Sequence, residues 1–183
     1  IKGLNPDGTP LPEARFLTSD QVRKLSQIEQ LRRKFNCSVD EVLAIWYNIP
    51  AVGYKDFSET PAPSIPSLYA KLFRNKAVLN PLNDALKVDP ANLSGSMDSQ
   101  ATSIQAALQI SEEDFRLLRN SSSVAANGNL NLQNLSAFYR HASLARWMGL
   151  SISDLLRQID LCGSNPFEGP VDTHAFLWKT DFI

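Results

Sequence analysis

Histidine and cysteine are scarce in this 183-residue chain, at two each, and neither sign of charge dominates. Eighteen Lys and Arg against 19 Asp and Glu leave a formal net charge of −1, which argues against a dedicated nucleic-acid binder with its usual basic excess. The longest strongly apolar run, residues 42–47, falls far short of the roughly 20 residues that a membrane-spanning helix requires. Cysteine is too sparse for a disulfide scaffold, and the spacing of Cys37 and Cys162 implies no pairing. Because Cys37 stands where a small buried apolar residue is wanted, two reduced thiols are the favoured state. The 43% hydrophobic and 20% charged residues are ordinary for a globular protein. Residues 1–12 are polar and proline-bearing, without the pattern of a signal peptide.

The same scarcity limits chemistry. His141 falls inside a long helical pattern and reads as a packed side chain. His174 follows Asp172 and Thr173, either of which suits a helix cap, and reads as a surface residue in a first turn. There is no Gly-x-Ser-x-Gly elbow, no glycine-rich phosphate loop, and no close Cys or His pair to seed a zinc site. The acids Asp40, Glu41, Glu112, Glu113 and Asp114 stand where first-turn carboxylates favour a helix dipole. Arg32, Arg33 and Lys34 read as a solvated basic face, with Lys71, Arg74 and Lys76 elsewhere. The sequence therefore offers no catalytic residue, no cofactor-binding residue and no metal ligand, and no enzyme is expected.

Helix starts, by contrast, are abundant. A capping box places Ser or Thr at the N-cap and an acid or amide three residues on, with an apolar staple spanning the pair. Residues 17–22 have this pattern with Thr18 and Gln21, and Leu17 set against Val22. It recurs at Ser38 with Glu41, at Ser111 with Asp114 and at Ser151 with Asp154, while Asn131 with Asn134 is a weaker version. Three-to-four spacing follows each start: Val22, Leu25, Ile28, Leu31 and Phe35 form one stripe facing a single core. Residues 42–46 suggest a short buried helix that stops before Pro50, and residues 67–75 another. Pro61, Pro63 and Pro66 mark an extended connection between them. Residues 81–101 read as turns around at most one helical piece, and residues 120–129 as an exposed loop. The apolar residues of 131–148 cover most of a helix's circumference, which makes this the expected central helix, ended by Gly149.

The predicted fold is all-α: a compact multi-helix domain with short capped helices around a central helix near 131–148. Residues 1–16 form an irregular leader and 17–183 a single helical domain, with loop 87–101 as the place for any sub-boundary. Both ends read as cuts through a much longer chain. Residues 35–43 parallel residues 148–156, each a helix end, one apolar residue and a newly capped helix. Shared corner chemistry and a divergent helical-hairpin repeat both account for that likeness.

The stretch SLYAKLFRNKAVLNPL at residues 67–82 resembles a segment of the A component of bacterial insecticidal toxin complexes (Tc toxins). That component shares a region with the Salmonella plasmid virulence A protein family. ISEEDFRLLR at 110–119, residues 130–156 and NPFEGP at 165–170 follow in the family's order, and residues 25–46 are also similar. Ala70 departs from the family, where Asp is more frequent. The resemblance implies an α-helical shell segment around a translocation channel, in a secreted, pentameric virulence factor. Its implied role is a non-enzymatic structural scaffold. Its implied partners are other regions of the same subunit and neighbouring protomers, with no nucleic acid and no membrane insertion by this segment. The host receptor is not indicated. A helical protein–protein adaptor outside any toxin is the alternative, and an enzyme with a cryptic site a more distant one.

Overall fold

Three of the expected capping boxes close in full in the computed structural model, which describes residues 17–56, 58, 60, 61, 63–121, 124 and 127–180. The leader assigned to residues 1–16 lies outside the described residues, as do residues 181–183. Thr18 starts α1 (Ser19–Lys34), Ser38 starts α2 (Val39–Leu43) and Ser67 starts α3 (Leu68–Phe73). The short helices α4 (Asp84–Lys87), α5 (Ala101–Leu108) and α6 (Glu112–Asn120) follow. Asn131 caps α7 (Leu132–Met148), Ser151 caps α8 (Ile152–Cys162), and α9 spans Pro170–Thr180. The one sheet among the described residues pairs β1 (Tyr54–Lys55) antiparallel to β2 (Ser64–Ile65), inside the proline-marked connection. The fold is all-α, as the periodicities predict.

The central helix is α7. Leu135, Phe138, Leu144 and Ala145 are buried in the main core beside Phe73, Leu86, Met97, Ile104, Leu118, Leu155 and Phe176. A smaller cluster gathers Leu31, Cys37, Val42 and Leu177, with Phe35 stacked on Trp147 at 5.1 Å between ring centroids. Trp46, Trp147 and Met148 pack against both clusters and join them.

Three corners have one construction. A left-handed residue ends the first helix: Asn36 (φ 49°), Gln109 (φ 55°) or Gly149 (φ 68°). The next residue's N–H reaches back five positions, Cys37 to Arg32 O, Ile110 to Gln105 O and Leu150 to Ala145 O, at 3.1, 3.0 and 2.9 Å. Those bonds satisfy carbonyls left open at the helix end. A serine then caps the second helix, and the residue four after it is buried: Val42, Phe115 or Leu155. The corner at Gln109 is the copy that the parallel between residues 35–43 and 148–156 does not include. At the third corner Asp154 takes the Ser151 hydroxyl at 2.6 Å, while Ser151 accepts from the Asp154 N–H.

Several expectations need correction. The stripe of α1 does not all face a core: Leu31 is 1% exposed, but Val22 and Leu25 are 52% and 51% exposed. Only the C-terminal half of α1 is covered, by α2 and α9, so the apolar spacing continues beyond its contacts. Leu17, the other half of the expected staple, is exposed as well. Residues 120–129 are not wholly a surface loop, because Val124 is in the main core. Gly128 lies under Arg119, whose guanidinium occupies the space of any Cβ there. The loop is held by Met97 N–H on Gly128 O at 2.9 Å and Leu130 N–H on Gly95 O at 2.8 Å. Residues 81–101 contain α4 and two 3-10 turns, Pro90–Asn92 and Asp98–Gln100, rather than one helical piece. His174 is half-buried in the second turn of α9, since that helix begins at Pro170.

Candidate functional site

The rare side chains do not converge. His141 is buried on α7, its Nδ1 2.7 Å from Ala137 O and its ring 4.4 Å from that of Phe167. Burial pushes its pKa down to about 4, so it is a neutral imidazole whose Nδ1–H donates to the carbonyl at neutral pH. His174 Nε2 lies 3.1 Å from Gln27 O and ties α9 to α1. Cys37 and Cys162 are both free thiols, the first buried at a corner and the second half-buried at the end of α8. Burial pushes the Cys37 thiol up to about 11, which keeps it protonated and unreactive. Among the described residues no three His, Cys, Asp or Glu side chains gather in a way that would hold a metal ion.

The charged clusters serve local structure. Asp40, Glu41, Glu112, Glu113 and Asp114 all stand in first turns. Arg32 and Arg33 share Glu29, at 2.7 and 2.6 Å, and their hydrogen bonds hold that carboxyl down to about 2. Polar side chains that cross between elements end largely on backbone. Tyr69 Oη donates to Leu86 O, Arg146 Nη2 to Leu108 O and Arg74 Nη2 to Val88 O, at 2.9, 2.6 and 2.7 Å. Ile49 N–H donates to Ser136 Oγ at 2.9 Å, and that hydroxyl donates to Leu132 O at 2.6 Å. Each such bond satisfies a group that would otherwise be costly to bury.

Two grooves share Trp46 and Tyr47 in their walls. One, of about 300 Å³, is largely apolar, with Leu17, Leu25, Ile28, Pro170 and the two aromatics in its walls beside Gln21 and Lys24. The other, of about 450 Å³, is polar and lined by Asn48, Gln133, Asn134, Ala137 and Arg140 beside the same aromatics. Arg140 donates through Nε to Ser136 O at 3.3 Å and through Nη2 to Tyr47 O at 3.2 Å. Among the described residues no carboxylate pairs with it, and burial alone lowers its pKa. Sequence reasoning overlooked Arg140 because it stands among core residues of α7, with no other formally charged residue nearer than Arg146 on that helix. Residues 46–48 come from 85 or more positions earlier, and only the fold brings them beside it.

Comparison of the chain with protein-family models, curated proteins and solved structures finds no match in any of the three. No helix among the described residues is long and apolar enough to cross a membrane.

Proposed function

We propose that this chain is a non-enzymatic scaffold segment of a multi-subunit toxin A component, a wall element of the helical shell around a translocation channel. The identification rests on the resemblance at residues 67–82 and 130–156. The observation that carries the mechanical part is the corner built three times alike, at Asn36, Gln109 and Gly149. A turn closed at both the outgoing and incoming helix ends fixes the angle between helices by backbone hydrogen bonds, and so resists bending. The stretches that carry the resemblance supply Tyr69, Phe73, Phe115, Phe138 and Leu155 to one core, which suits a rigid element. Neighbouring protomers and other regions of the same long subunit are its partners in this reading, and the assembled particle is secreted. The second reading, a helical adaptor, draws on the exposed apolar residues Leu17, Val22, Leu25 and Tyr47 beside the grooves.

Two measurements test the proposal. The reading frame that encodes residues 1–183 should run far beyond them, and native mass spectrometry of the product should give a homo-oligomer. A frame closing near residue 183 and a monomeric product would favour the adaptor.

A further inference from the structure

We infer that Asn127 is a self-modifying site, at which the backbone nitrogen of Gly128 displaces the side-chain amide and the fold carries the product to aspartate. The inference goes beyond the scaffold proposal and does not depend on it. Every other asparagine of the chain precedes proline, which has no N–H to lose, or a residue whose side chain obstructs the approach. Asn127 is exposed, so water and base reach it. Its Oδ1 accepts two hydrogen bonds, from the Asn129 N–H at 3.1 Å and from Asn134 Nδ2 at 2.6 Å. Asn134 is buried in the first turn of α7 and is steadied by a further bond from Nδ2 to Asn129 O at 2.7 Å. Oδ1 is the atom that takes up negative charge when Cγ is attacked, and donors already aimed at such an oxygen lower the barrier. Neither bond holds Nδ2, the group that must leave. The Arg119 guanidinium, which fills the space over Gly128 and has Asp98 3.5 Å from its Nε, favours loss of the Gly128 amide proton.

The Gly128 nitrogen gives its proton to water and bonds to Asn127 Cγ. The Cγ–Nδ2 bond breaks, ammonia leaves, and a succinimide ring closes. Water then opens the ring at either carbonyl, so that overall one water is consumed and one ammonia released. Attack at Cγ restores the ordinary backbone with aspartate at 127, whereas attack at the main-chain carbonyl gives isoaspartate. The donors from Asn129 and Asn134 polarise the Cγ carbonyl and direct water there. Aspartate keeps both bonds, now charge-assisted, and places its charge at the positive end of α7. Isoaspartate would instead insert a methylene between Val124, fixed in the core, and Gly128, whose carbonyl is held by the Met97 N–H at 2.9 Å.

The test incubates the folded 183-residue chain at neutral pH in water enriched in oxygen-18, beside a synthetic peptide of residues 120–140. Mass spectrometry of the tryptic peptide that ends at Arg140 reads ammonia loss and oxygen-18 uptake at residue 127. Chromatography against synthetic standards separates aspartate from isoaspartate. The folded chain should convert at least as fast as the free peptide and give aspartate in excess, where the free peptide gives mainly isoaspartate. Asn127→Asp should melt no lower than the unaltered chain. Slower conversion than in the peptide would show that the two bonds lock the amide, and an excess of isoaspartate would show that they do not direct water. Either result overturns the inference without reliance on any variant, and a lower melting temperature for Asn127→Asp overturns it as well.

Discussion

The indole N–H of Trp46 donates to the hydroxyl of Thr173 at 2.8 Å, and joins the segment after α2 to α9 across 127 positions of sequence. Thr173 Oγ1–H donates in turn to Pro166 O at 2.6 Å, so one buried hydroxyl serves both partners. Thr173→Val keeps the shape and leaves an indole N–H and a carbonyl unsatisfied. It should cost about 2 kcal/mol in denaturant titrations. Trp46→Phe should cost a similar amount, and the double variant should cost less than the sum of the two, because they share the bond. Additive losses would show that the bond contributes nothing to stability.

The three corners predict a graded set of effects. Ser38→Ala, Ser111→Ala and Ser151→Ala should each cost about 1 kcal/mol through loss of an N-cap. Gln109→Gly should instead raise stability by about 0.5 kcal/mol, since glutamine holds a left-handed φ of 55° that glycine adopts without steric cost. Gly149→Ala should lower stability by about 1 kcal/mol for the converse reason, although no neighbouring atom crowds a Cβ there. Thermal melts of the five variants decide the matter, and a destabilising Gln109→Gly would contradict the corner description.

Acid should weaken the fold through His141. Its pKa is about 4 in the folded chain against an ordinary 6.5, so the unfolded chain binds the extra proton between those values. The contribution is fully present above pH 6.5 and is lost as pH falls towards 4, amounting to roughly 3 kcal/mol. Stability measured from pH 7 to pH 4 should therefore fall, and His141→Asn should flatten part of that slope. Identical slopes in the two proteins would show that His141 is protonated or hydrated in the fold.

The thiols should separate kinetically. Cys162 is half-buried at a helix end, whereas Cys37 is buried with its pKa pushed up to about 11. A disulfide reagent at pH 8 should titrate one thiol promptly and the other only on unfolding, with Cys162→Ser abolishing the prompt phase. Prompt reaction of both would place Cys37 at the surface.

Sequence and structure agree most closely where the determinant is local. The caps at Thr18, Ser38, Ser111, Asn131 and Ser151 each depend on two or three residues within one turn, and all are in place. The corner at Gln109 was hidden because glutamine is not a customary left-handed residue, although Ser111, Asp114 and Phe115 carry the rest of the pattern. Val124 is surrounded by serine, alanine and asparagine, so no periodicity marks it as core. Val22 and Leu25 have the right spacing for burial, but spacing does not tell which part of a stripe has a neighbour. Arg140 is the extreme case: its bond to Tyr47 O spans 93 positions and exists only once the segment after α2 is packed against α7.

The most direct test of the scaffold proposal compares two kinds of change in the intact protein, with oligomer formation and toxicity measured on the same preparations. Leu135→Asp buries a carboxylate where leucine is wholly enclosed, and should abolish assembly and toxicity together. Replacing Arg32 and Arg33 by alanine alters an exposed face, and should leave both intact or diminish both in proportion. Loss of toxicity in the Arg32 and Arg33 variant with assembly unimpaired would make that face a recognition surface and contradict the scaffold account.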